Sequence, residues 1–157
     1  MKLTKFLGGA VAAVMVAGTL SPIAAHSDGK KERFKESQYR HDMMEHAKYA
    51  AGNIVQLMKG EAQHEGHMEK LAAIVALSAS MTKEAFAKDT RGMEGHTEAK
   101  AAIWENWEDF AARADVFAAD AAAFSEVAKS GDMAETGKAF GKAMGNCKSC
   151  HDKYKDG

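Results

Sequence analysis

This chain is short of everything that breaks a helix. Among 157 residues there is one proline, Pro22, so from Ile23 to Gly157 no missing N–H interrupts a helical ladder. β-branched residues are few, which removes the usual mark of a strand. Neither charge dominates: 21 basic residues face 22 acidic ones, and no basic stripe offers itself to a nucleic acid backbone. One long apolar run exists, Phe6 to Leu20, and it is shorter than the roughly 20 residues that cross a bilayer. There is no low-complexity tract and no internal repeat. These absences leave a single all-α domain.

The apolar run belongs to a distinct leader. Lys2 and Lys5 precede it, and small residues follow in "SPIAA". This order of charge, apolar core and small residues is that of a secretory signal peptide over residues 1–25, with cleavage after Ala25 or, alternatively, near Ser27. An uncleaved anchor is the competing reading. Loss of the leader removes two lysines and no acid, moving the formal charge from −1 to about −3. The mature domain is then residues 26–157. It is expected to be exported, periplasmic in a bacterium, and not inserted in the membrane.

Four amphipathic stretches fill that domain. Met44, Ala47, Ala51, Ile54 and Met58 form one face of a helix from about Lys31 to Lys59. Leu71, Ile74, Val75, Ser78 and Met81 mark a second, from about Gln63 to Thr82. The following stretch, Thr82 to Lys100, has two glycines and little periodicity and reads as a long connection. Ile103, Trp107, Phe110, Ala114, Phe117, Ala121, Phe124 and Ala128 then step by four and three, a heptad seam ending at Gly131. Asp132 and Glu135 supply a capping signal for the last helix. Its seam runs through Met133, Thr136, Phe140, Ala143, Cys147, Cys150 and Tyr154. Gly137, Gly141 and Gly145 form a second stripe, which admits either a bulky neighbour or a close helix crossing. The expected architecture is an antiparallel up-down four-helix bundle.

The two cysteines of the chain stand together in "CKSCH", Cys147 to His151. Cys-x-x-Cys-His is the attachment signature of a c-type haem. Positions i and i+3 of a helix share a side, so two thiols can add to the two vinyl groups of one porphyrin edge. His151, at i+4 from Cys147, can bind the iron axially. A redox disulfide is one alternative, although it needs no adjacent histidine. A zinc site is another, although it needs more ligands of matching spacing. One motif implies one covalent haem c. His64 and His67 are three apart and lack a third donor of matching spacing, so they read as solvated. Trp104, Trp107, Phe110, Phe140 and Tyr154 read as core, with no site assigned to them.

With these residues the chain resembles the class II c-type cytochromes, the cytochrome c' family. "YRHDMMEHAKYAAGNIVQLMKGE" (Tyr39 to Glu61), "IWENWEDFAARA" (Ile103 to Ala114) and "AFGKAMGNCKSCHDKYK" (Ala139 to Lys155) carry the likeness. The resemblance implies a haem attached near the C-terminus of a bundle and a distal residue on the first helix. That residue lies four after an arginine and fifteen before the lysine of a Lys-Gly pair; Arg40 and Lys59 both point to Met44. Methionine there implies the six-coordinate, low-spin branch, with Met44 as distal iron ligand. Met43, about 100° away on the helix, is the alternative, and either can be packing alone. The resemblance further implies Arg40 near the haem propionates; a solvated surface arginine is the other reading. Lys155 stands where the family usually has arginine, and lysine cannot make the same bidentate contacts.

The expected function is therefore one-electron transfer between redox partner proteins, with no substrate transformed and no enzyme activity. The alternative is a five-coordinate protein binding NO or CO. A homodimer through the first two helices is a further implication of the resemblance.

Overall fold

Residues 32–156 are described by a computed structural model of the chain. The leader expected over residues 1–25 and its cleavage site lie outside them. Five helices follow one another: α1 (Lys35–Met58), α2 (His67–Ala87), α3 (Ala102–Glu105), α4 (Trp107–Ala128) and α5 (Met133–Tyr154). The four long ones form the antiparallel bundle that the periodicity predicts. No helix among the described residues is long and apolar enough to cross a membrane.

The boundaries depart from expectation in two places. α2 runs past Thr82 to Ala87, because the apolar repeat continues from Val75 through Thr82 to a buried Phe86. The expected third helix is broken at Asn106 (φ −128°, ψ 47°), whose side-chain amide donates to the Ala102 carbonyl at 3.1 Å. A short polar side chain bonding its own backbone competes with the regular ladder. The cap at Asp132 forms as expected, its carboxylate accepting from the N–H groups of Ala134 and Glu135. Glu135 does not reach back to complete the box; it pairs with Lys138 at 2.7 Å.

Helix packing is uneven, and the unevenness positions the site. α1 packs on α2, α2 on α4, and α4 on α5, while α1 and α5 scarcely meet. At one end the helices close around Ile54, Val75, Phe124 and six alanines, all nearly without exposure. Alanine lets the backbones approach, and each fully buried large side chain contributes about 1.5–3 kcal/mol. At the other end a smaller cluster forms around Met43, Phe86, Ile103, Phe110 and Tyr154. Between that cluster and the open α1–α5 side lies a cavity.

Three expected core positions are not core. Met58, Ile74 and Met133 are 37%, 43% and 46% exposed: Ile74 lies one position off the buried Val75, and Met58 and Met133 are the terminal residues of their helices. The glycine stripe of α5 is mostly free: a Cβ at Gly137 would meet Met58 at 3.1 Å, and one at Gly141 or Gly145 would meet nothing. A close helix crossing accounts for Gly137 alone.

Candidate functional site

The cavity is about 810 Å³, toward the upper end of the roughly 300–1,000 Å³ of ligand sites. Met44, Ala47 and Ala51 give it an α1 wall; Cys147, Cys150 and His151 give it an α5 wall. Phe86 of α2 and Phe110, Ala114 and Phe117 of α4 form the floor. Polar and charged groups gather at the rim, among them Arg33, His41, Glu98 and Lys155.

Both cysteines are free thiols, half-buried on the cavity-facing side of α5. Burial pushes each thiol above its ordinary pKa, so both are held as neutral SH. His151 opens onto the same space. Its pKa is lowered first by desolvation and then by Lys155, against Asp152 and Glu98. The imidazole is thus favoured in its neutral form, the form that ligates a metal.

Two α4 carboxylates pin this segment from both sides. Before it, Asp120 accepts from Asn146 at 3.0 Å and pairs with Lys142 at 2.7 Å. After it, Asp109 accepts from the Tyr154 hydroxyl at 2.6 Å and from Lys153 at 2.9 Å, and also from Arg113. These bonds hold the carboxyl of Asp109 well below the usual range, Arg113 first and then Tyr154 and Lys153. Neither acid is legible as a site residue in the sequence. Their partners on α5 lie 22 to 45 residues away, and no periodicity links them.

On α1 the two methionines part company. Met43 is 4% exposed and belongs to the aromatic cluster, whereas Met44 is half-buried and faces the cavity. Arg40, one turn earlier, is no surface arginine. It is 3% exposed, with its guanidinium 4.8 Å from the Phe86 ring centroid and 5.3 Å from that of Trp104. Three of its donors go to the Ala85 carbonyl, the Lys88 carbonyl and the Thr90 hydroxyl. Two N–H groups are left for anything that enters the cavity it borders.

Of the aromatic residues considered, Phe110 and Tyr154 line the cavity, and Trp104, Trp107 and Phe140 do not. Phe86 and Phe117 line it as well. Phe86 escaped notice because α2 seemed to end before it; extending the Val75–Thr82 spacing by four would have reached it. His64 and His67 stack at 4.8 Å on the surface, and no group of three or more metal-binding side chains forms among the described residues.

The residues fit a large flat macrocycle. Two neutral thiols, a neutral imidazole and a thioether border one mainly apolar space, on the two helices that scarcely pack together.

Comparison with known proteins agrees. Residues 35–155 match the family described as Cytochrome C'. The cytochrome c' of Rubrivivax gelatinosus is 36% identical over 108 residues, 67% of this chain and 81% of that one. A protein named cytochrome c-556, from Agrobacterium tumefaciens, is 31% identical over 121 residues, 76% of this chain and 96% of that one. In structure, the chain is similar to cytochrome c prime from Shewanella frigidimarina, with a TM-score of 0.70 and 30% identity, over 78% of this chain and 94% of the other.

Proposed function

We infer the function from one premise: the chain belongs to the cytochrome c' family, whose members bind one covalent haem c. On this reading the protein is an exported electron carrier rather than an enzyme. Cys147 and Cys150 would hold the haem through thioether bonds, and His151 and Met44 would ligate its iron. The haem supplies an iron that gains and loses a single electron.

The protein's own part is positional. Asp109 and Asp120 clamp α5 on either side of the attachment segment. The lowered pKa of His151 keeps its imidazole free of a proton. Phe86, Phe110 and Phe117 exclude water. A neutral thioether at Met44 would favour the reduced metal and needs no proton when the charge changes.

One observation carries the reading: Met44 borders the same cavity as the Cys-x-x-Cys-His segment, while Met43 is spent in the core. The test is the visible spectrum of the reduced holoprotein before and after CO. A low-spin spectrum indifferent to CO is expected, with Met44→Ala taking up CO at once. Immediate uptake by the wild type would overturn the carrier.

The second reading, a binder of NO or CO, rests on the family match and on a solved relative. A cytochrome c prime variant from Alcaligenes xylosoxidans has been solved as a nitric oxide complex, at 24% identity to this chain and so alike in fold. Under this reading Met44 yields its place to the gas.

A further inference from the structure

The connection from α2 to α3, residues 88–101, touches both ligand-bearing helices at once. Toward α1, the His96 N–H donates to the Glu32 carbonyl at 3.0 Å. The His96 carbonyl accepts from the Ser37 hydroxyl at 2.8 Å. Nearer its start, the Lys88 carbonyl and the Thr90 hydroxyl hold Arg40 at 3.0 and 2.9 Å. Ser37, Arg40 and Met44 step by three and four, so the stripe so gripped is the one that ends in Met44.

Toward α5, the Lys100 N–H donates to the Tyr154 carbonyl at 3.0 Å, and the Asp156 N–H to the Glu98 carbonyl at 2.8 Å. One carboxylate spans the two sides: Glu98 Oε2 lies 3.6 Å from an Arg33 nitrogen and 3.6 Å from Lys155 Nζ. The close pass against the start of α1 needs glycine at position 95. Its φ is +126°, and a Cβ there would sit 2.9 Å from the Glu32 carbonyl oxygen and 3.1 Å from the Phe34 nitrogen.

The geometry points to this connection as a strap that sets the gap between α1 and α5, with Gly95 and Glu98 as positioning residues that keep Met44 at its wall of the cavity. Without the strap, α1 and α5 meet directly only at the packed end, where Met58 passes Gly137, and at the cavity they are joined through α2 and α4 alone. Loosening it lets the first turns of α1 swing outward, and the thioether leaves with them. This inference rests on the reading of Met44 as distal ligand.

The test is stopped-flow CO binding to the reduced holoprotein, with amide exchange measured alongside. Glu98→Gln, which loses the ionic bridge and keeps the shape, is expected to bind CO about threefold faster than wild type. Gly95→Ala is expected to bind it about tenfold faster. Exchange at the amides of His96 and Lys100 quickens in both. Phe124→Leu, a destabilising change at the packed end, leaves the CO rate at the wild-type value. Unchanged CO rates in Glu98→Gln overturn the strap, whether or not Gly95→Ala folds. A wild type already as fast as Met44→Ala removes the Met44 reading instead. The strap is then judged on the amides of His41 to Lys48, which must exchange faster in Glu98→Gln; unaltered exchange there overturns it.

Discussion

The two ends of the bundle are built from the same four helices and do opposite things. At one end Ile54, Phe124 and small alanines pack together almost without exposure, and Val75 reaches from them to the cavity wall. At the other, larger side chains stand back from a cavity of about 810 Å³. The difference is one of partners. The packed end has all four helices in contact, whereas at the hollow end α1 and α5 are held apart and bridged by the strap. Side chains at the first end are there to touch one another; those at the second are there to touch something else. A substitution should accordingly cost stability at one end and chemistry at the other.

The largest effect expected is loss of the cofactor. Cys147→Ser with Cys150→Ser should give a mature chain whose mass equals the bare polypeptide. Its thermal transition should be broad and low, because a group that binds only the folded form no longer stabilises it. Mass spectrometry and calorimetry read both; a sharp, unshifted transition would mean that the hollow end closes by itself.

Next is Phe124→Ala, which empties the centre of the packed end. A loss of about 3–5 kcal/mol is expected in denaturant unfolding of the holoprotein, with the visible spectrum unaltered. Met44→Ala sharpens the contrast, since it should change the spectrum while costing less stability than Phe124→Ala. Were both to shift the spectrum equally, the two ends would not be separable.

Thr136 offers a smaller effect of opposite sign. It is fully buried on α5 and its hydroxyl has no hydrogen-bond partner. Thr136→Val keeps the shape and removes an unsatisfied polar group, so a gain of about 1 kcal/mol is expected. A loss would reveal a partner for the hydroxyl in solution.

The smallest effect concerns Asp120, whose carboxyl is held below its ordinary range by Lys142 first and Asn146 second. A carboxylate with a depressed folded pKa stabilises above the unfolded value, about 3.9, and that contribution fades as pH falls through the folded one. Asp120→Asn should cost under about 1 kcal/mol at neutral pH and lessen the loss of stability on acidification. Equal acid sensitivity in wild type and variant would place the titrating group elsewhere.

Much of this was legible in the residues themselves. The heptad seam from Ile103 to Ala128 is buried or half-buried throughout, and Asp132 caps α5 as its spacing implied. Cys147, Cys150 and His151 were singled out by a spacing that lies within about one turn of a helix, and all three line the cavity. The errors came where local signals compete or end. Asn106 broke a seam that otherwise ran on, and Phe86 was lost because glycine and polar residues just after it masked the end of α2. The resemblance implied Arg40 near the haem propionates, with a solvated surface arginine as the alternative; its burial against Phe86 and Trp104 had no local sign.

The sequence by itself determined the helices, their apolar faces and the chemistry of the C-terminal segment, since each depends on neighbours three or four residues apart. Tertiary structure alone decided that Met44 rather than Met43 borders the cavity, that Asp109 and Asp120 clamp α5, and that residues 88–101 join the start of α1 to the end of α5. Those outcomes depend on how whole helices rotate and tilt against one another. Rotation is set by packing among residues dozens of positions apart, which no local spacing records.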